Sequence, residues 1–114
     1  MICYDLRFPE LFRRVTAKGA ELIVVVANWP SVRLDHWLTL LKARAIENLA
    51  YVVGVNRCGS DPNHQYPGRS VVIDPWGESV ADAGSEEGLI DVTIDHDRLR
   101  KWREEFPVLK DLEG

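Results

Sequence analysis

Two cysteines, three histidines and no long apolar run are what this 114-residue sequence offers a metal, a disulfide framework or a membrane. Cys3 and Cys58 stand in neither a CxxC nor a Cys/His ligand spacing, so no zinc site and no disulfide scaffold is signalled. His36, His64 and His96 are scattered, without metal spacing and without a serine elbow beside them. No apolar stretch approaches the roughly 20 residues a membrane span needs. Met1 is followed by neither a basic segment nor a small-residue cleavage site. Charge of one sign is also missing: 14 Lys and Arg are interleaved with 18 Asp and Glu, for a net charge of -4, whereas a nucleic-acid surface needs clustered cations. No glycine-rich phosphate loop occurs. The expectation is a cytoplasmic protein with no cofactor, no nucleic-acid partner and no membrane contact.

What is present is an ordinary globular composition, 46% hydrophobic and 28% charged, enough for one domain with one modest core. "PELFRRVTAKG" spaces Leu11, Phe12 and Val15 for a helix, with Pro9 tolerated in its first turn and Gly19 available to end it. "ELIVVVAN" has the Val-rich composition of a strand buried on both faces, stopping at Asn28, and its carboxyl end is a natural edge for a site. From Ser31, the residues Leu34, Trp37, Leu38, Leu41, Ala45 and Leu49 follow the 3.6-residue period of a longer helix. "AYVVGVNR" predicts a second buried strand, and "CGSDPNHQYPG" a polar loop without regular structure. "RSVVIDPWGESVADAG" predicts a hairpin turning at "DPWG", "GLIDVTID" a last strand, and "HDRLRKWREEF" a closing helix capped by Asp95. The order is that of an α/β fold, a mixed β-sheet with packed helices. "MIC" has the character of the last residues of another buried strand.

That places Cys3 between a strand and a helix, where the partial positive charge of a helix amino end favours a thiolate and backbone N–H groups can hold an oxyanion. A single cysteine in apolar company is more often a small buried hydrophobe, so Cys3 alone decides nothing.

The wider pattern does. "CYDLRFPEL", "VVVANWP", "HWLTLLKARAIENLAYVVGVNR", "SVVIDPWGE" and "EFPVLKD" together resemble the nitrilase superfamily of carbon-nitrogen hydrolases, over essentially the whole chain, and within it most resemble the omega-amidases. The resemblance implies the carboxyl-terminal portion of the nitrilase-type α-β-β-α sandwich, with residues 1–114 a partial domain that starts at the nucleophile strand. It implies Cys3 as the nucleophile that forms a thioester and Tyr4 as donor of a backbone N–H to the oxyanion. Arg7 matches the residue that pairs with the distal carboxylate of the substrate, and Trp29 an aromatic position lining that pocket. Without the resemblance, Arg7 is a helix-surface ion-pair partner of Glu10 or Glu21, and Trp29 is core filling. His36 falls in the "HW" helix start and is expected to serve packing, while Asp5 and Arg44 are candidates for tying the nucleophile turn to that helix. The partner implied is a small-molecule amide, with the terminal amide of a 2-oxo dicarboxylate as the omega-amidase substrate. A homodimer is implied as well, through helices at 9–18 and 34–49.

The superfamily triad is Glu, Lys and Cys, its Glu and Lys lying before the cysteine. Glu10, Lys42 and Glu47 all come after it and match neither. Two expectations therefore stand side by side, the nucleophile-bearing part of an amidase and a noncatalytic packing or assembly module; branches acting on deaminated glutathione, N-carbamoyl compounds or nitriles share much of the motif set. Because acylation and deacylation both need a base, the 114-residue chain purified alone is expected to release negligible ammonia from 2-oxosuccinamate, a deficit of at least about 100-fold from acid-base catalysis alone. Turnover that disappears in Cys3→Ala would show instead that the isolated chain carries a working site.

Overall fold

At Gly54 a helix lies directly on a sheet. The computed structural model describes residues 1–113. Strand β1 (Leu22–Ala27) runs parallel to β2 (Tyr51–Asn56), in a register that sets Val24 beside Val53 and Val25 beside Gly54. The short strands β3 (Cys58–Ser60) and β4 (Gln65–Pro67) pair with each other, and β5 (Val71–Ile73) and β6 (Ser79–Asp82) complete a four-stranded mixed sheet of order β1-β2-β5-β6. Helices α1 (Pro9–Ala17) and α2 (Leu34–Asn48) and the closing helix α3 (His96–Glu105) pack around it.

Helix α2 covers the face formed by Ile23, Val25, Val52 and Gly54, burying Trp37 and Leu41 completely. A Cβ at Gly54 would lie 2.7 Å from both Leu41 Cδ1 and Trp37 Cζ2, so only glycine lets the helix approach this far. The helix ends on Leu49 in the left-handed region (φ 48°), with Ala50 N–H donating to the Ala45 carbonyl. Arg103 of α3 supplies further donors to the carbonyls of Asn48, Leu49 and Ala20, and burial pulls its pKa below the usual arginine value.

The opposite face is only partly covered. Tyr51 and Val72 meet Leu99 of α3, with Val92 and Ile94 packed alongside. Leu22, Val24 and Val26 remain 43–47% exposed, so β1 is buried on one face and not on both as its composition suggested. A continuous apolar run registers compatibility with burial; it does not say which face this chain itself covers.

Two other expectations change. The segment 89–95 forms no strand: Ile90, Val92 and Ile94 are half-buried and alternate with exposed Asp91, Thr93 and Asp95. The period of two is real, but its cause is packing across the sheet face rather than ladder bonding at an edge. Residues 58–67, expected to lack regular structure, form the β3–β4 hairpin instead. Asp61 Oδ1 accepts from the N–H groups of Asn63 and His64, Asp61 Oδ2 accepts from the Tyr66 hydroxyl, and the Arg57 guanidinium stacks 4.4 Å from the Tyr66 ring centre. An aspartate-anchored turn thus does what the turn-forming composition seemed to forbid.

The "DPWG" hairpin forms as expected. Asp74 Oδ1 accepts from Trp76 and Glu78 N–H, and Gly77 sits at φ 88°. Asp95 also caps α3, accepting from Arg98 N–H at 3.0 Å.

Gly54→Ala is expected to destabilise the chain by about 1–3 kcal/mol through overpacking, more than the roughly 0.4–1 kcal/mol returned by stiffening the unfolded state. Gly88→Ala, where a Cβ meets nothing within 4 Å, provides the control and should be neutral or slightly stabilising in denaturant melts. Equal midpoints for the two variants would show that the Gly54 contact is not limiting.

Candidate active site

The site is organised by a five-residue turn. Ile2 lies beside β1 as an isolated parallel bridge to Val26, with Val26 N–H donating to the Met1 carbonyl, so "MIC" pairs like a strand end, but Ile2 is 67% exposed rather than buried. The chain then closes into a 3-10 helix, Cys3–Arg7, before α1 begins at Pro9. Cys3 therefore opens a tight turn rather than the α-helix itself. Asp5 stays local: its N–H donates to the Ile2 carbonyl at 2.7 Å and its carboxylate accepts from Ile2 N–H at 3.0 Å. Since that Asp5 N–H bond is the first of the turn, the N–H groups of Cys3 and Tyr4 precede it without helical acceptors. The Tyr4 side chain is exposed and meets Phe8 edge to face, 5.1 Å between ring centres.

Leu6 anchors the turn. Its side chain is fully buried, and its carbonyl accepts from both Nε (3.0 Å) and Nη2 (2.8 Å) of Arg44, which reaches over from α2. Arg44 is 5% exposed, pairs with Glu47 at 3.0 Å and lies over the Phe12 ring of α1. Of the two residues expected to tie the turn to the helix, Arg44 does so and Asp5 does not. The pairing also occupies Glu47.

Arg7, at the far end of the turn, lies over Trp29, its guanidinium carbon 4.9 Å from the ring centre, and its Nη2 is 3.2 Å from His36 Nδ1. It forms no ion pair with Glu10 or Glu21; Glu21 is engaged by His96 and Arg100 at the other end of the sheet, and the His96 hydrogen bond chiefly holds its carboxyl below the usual glutamate range. Trp29 is 3% exposed and is fixed on every side. Its ring N–H donates to the Arg33 carbonyl at 2.8 Å, its backbone N–H to Asn56 Oδ1 at 2.7 Å, and its carbonyl accepts from Asn56 Nδ2 at 3.1 Å. The ring fills the core, as its composition alone suggests, and lies beneath the Arg7 guanidinium.

Cys3 is half-buried at an open depression lined by Ile2, Val26, Ala27 and Asn28, at the carboxyl end of β1. A more enclosed cleft of about 330 Å³ lies over Val53 and Val55, with Cys58 and Ile90 in its walls. It shares no lining residue with the depression; of Cys3, Tyr4, Arg7 and Trp29, none borders the cleft and only Cys3 lines the depression. The two cysteines remain separate free thiols. Among the described residues no group of three His, Cys, Asp or Glu side chains converges to hold a metal ion. His64 and His96 lie away from the turn, on the β3–β4 hairpin and at the start of α3. Two residues of the site were not singled out as such from sequence: Asn56, whose signal is a polar side chain closing an apolar strand, and His36, one position before a buried tryptophan.

The carbon-nitrogen hydrolase family model matches residues 1–104. The chain belongs to the carbon-nitrogen hydrolase family. This hydrolase-family chain is 47% identical over 112 residues to the 2-oxoglutaramate amidase of Bacillus subtilis, covering 98% of its own length and 43% of the relative's. It is 52% identical to a Staphylococcus lugdunensis protein described as a hydrolase in the agr operon, covering 98% of its own length and 48% of the relative's. A CN-hydrolase superfamily protein of Xanthomonas campestris, whose crystal structure carries an arsenic adduct in the active site, superposes with a TM-score of 0.88 at 40% identity, over 97% of this chain and 44% of that one. The fold is thus that of the nitrilase-type sandwich, and the chain spans less than half the length of these relatives.

Arg44→Met should orphan the buried Leu6 carbonyl and cost about 1–3 kcal/mol. It should also free the turn, so that Cys3 is alkylated faster by iodoacetamide in native buffer. An unchanged melting midpoint with an unchanged Cys3 labelling rate would show that Arg44 does not restrain the turn.

Proposed function

We propose that this chain is the nucleophile-bearing part of a cysteine amidase, an omega-amidase that hydrolyses the terminal amide of a short 2-oxo dicarboxylate monoamide. The observation that carries the reading is the sharing of one turn by a thiol and a guanidinium that forms no ion pair among the described residues. Four residues of 3-10 rise separate Cys3 from Arg7, about 8 Å along the axis, the scale of a short dicarboxylate chain. In this reaction the Cys3 thiolate attacks the amide carbon, and the oxyanion is met by the Tyr4 backbone N–H. The tetrahedral intermediate expels ammonia after proton transfer to nitrogen, and water hydrolyses the thioester to release the acid.

Arg7, lying over Trp29, offers N–H donors to the carboxylate at the substrate's other end. The name of the Bacillus subtilis relative supports an amide that also carries carboxylates. The general base and the lysine implied by the family resemblance have no matching positions in residues 1–114, and on this proposal they lie in the part of the relatives that this chain does not span. The assembled protein is, on the same proposal, a cytoplasmic homodimer paired through the helices at 9–18 and 34–49. No helix among the described residues is long and apolar enough to cross a membrane.

A specific observation keeps the second reading in view: the exposed apolar face of β1 suits a packing module equally well. Ammonia release by the native reading frame that contains residues 1–114 separates the two. The expected result is turnover of 2-oxosuccinamate that Cys3→Ala abolishes. Arg7→Ala should raise KM for that substrate by about 10- to 100-fold, the scale of a charge-assisted hydrogen bond, and leave a neutral amide of similar size unaffected. Turnover indifferent to Cys3 would overturn the amidase assignment, and equal effects on both amides would overturn the role of Arg7.

A further inference from the structure

We infer that His36 is a positioning residue for Arg7, setting the preference of the site for anionic substrates; the inference rests on the amidase reading above and adds a residue to it. Arginine has donors only, so the ring nitrogen that faces Arg7 Nη2 at 3.2 Å must be the acceptor. Nδ1 therefore carries the lone pair and Nε2 the proton. This one bond uses a single N–H of the five on the guanidinium and leaves four, enough for a bidentate clasp on a carboxylate.

The contact matters because of what already holds Arg7. Its backbone belongs to a turn fastened through Leu6 to Arg44, and its guanidinium lies on the Trp29 ring. That ring is locked by Asn56 and by the Arg33 carbonyl. The contact with the ring limits how closely the guanidinium can approach it but leaves it free to slide and rotate over the ring. The bond to His36 from the first turn of α2 removes that freedom. Because Arg33 and His36 flank the start of the same helix, floor and side wall are set by one element, and the cation faces the substrate already oriented. His36 is itself exposed and outside the core, so its replacement leaves the core packing of Trp37 in place.

Three variants of the full-length protein test this. In His36→Asn, Oδ1 replaces Nδ1 as acceptor at nearly the same distance from Cα. His36→Gln moves the acceptor to the position of Nε2, and His36→Leu removes it. For 2-oxosuccinamate, Leu and Gln should raise KM by roughly threefold to tenfold with kcat unchanged, Asn should behave as wild type, and a neutral amide should not distinguish the four proteins. Binding of 2-oxoglutarate to the Cys3→Ala protein, measured by calorimetry, should weaken in the same order and needs no turnover. Wild-type values for Leu and Gln, while Arg7→Ala still loses anionic preference, would overturn the role of His36 alone. Equal losses for both amides in all three variants would make His36 merely structural and overturn the inference. If 2-oxoglutarate binding were unaffected even by Arg7→Ala, the anionic-site reading would fall, and this inference with it.

Discussion

The close approach of α2 to the sheet at Gly54 sets the geometry of the cysteine turn. With no side chain at that position, Trp37 and Leu41 lie directly on the strand, and the helix is held at one depth and one rotation. Arg44, two turns beyond Trp37, then reaches the Leu6 carbonyl, while His36, one residue before it, reaches Arg7. Contact at one glycine thus aligns both ends of the cysteine turn against the same helix. A slightly more distant helix would lose a buried guanidinium its acceptor, which is costly, as well as a packing contact.

The second constraint is the buried amide of Asn56. It satisfies the Trp29 backbone on both sides and donates to the Gly68 carbonyl, so the loop after β1 is clamped to the loop that precedes β5. Polar groups this deep persist only when paired, and the pairing fixes the loop conformation as a side effect. Trp29 is consequently tied on both sides of its backbone, and Arg7 lies over a ring placed by those bonds. The turn carries the Cys3 thiol; the strands and α2 hold that turn in place.

Much of the fold was legible in residue order. The apolar runs of β1 and β2, the helical period through Trp37, Leu41 and Ala45, the "DPWG" hairpin and the Asp95 cap are all local signals, written within a few residues of where they act. The segment 90–95 shows the limit of such signals, because alternation reports which side chains are buried and not whether the backbone is paired. The β3–β4 hairpin shows the reverse case, where turn-forming residues concealed a short ladder stabilised by Asp61 and Tyr66. For the candidate site, Cys3, Tyr4, Arg7 and Trp29 are named only through resemblance to a family. What holds them was legible only for Arg44.

The sequence by itself determined the element types, the α/β class and the placement of the thiol where a strand gives way to a helix, since these depend on periodicity, composition and turn chemistry over short distances. Tertiary structure alone decided that Arg7 stacks on Trp29 and meets His36 rather than pairing with Glu10 or Glu21. It also decided that Asn56 clamps Trp29 from 27 residues away, and that one face of β1 is buried and the other not. Each of these depends on which surfaces meet at long sequence separation, and the helix–sheet contact at Gly54 sets that meeting.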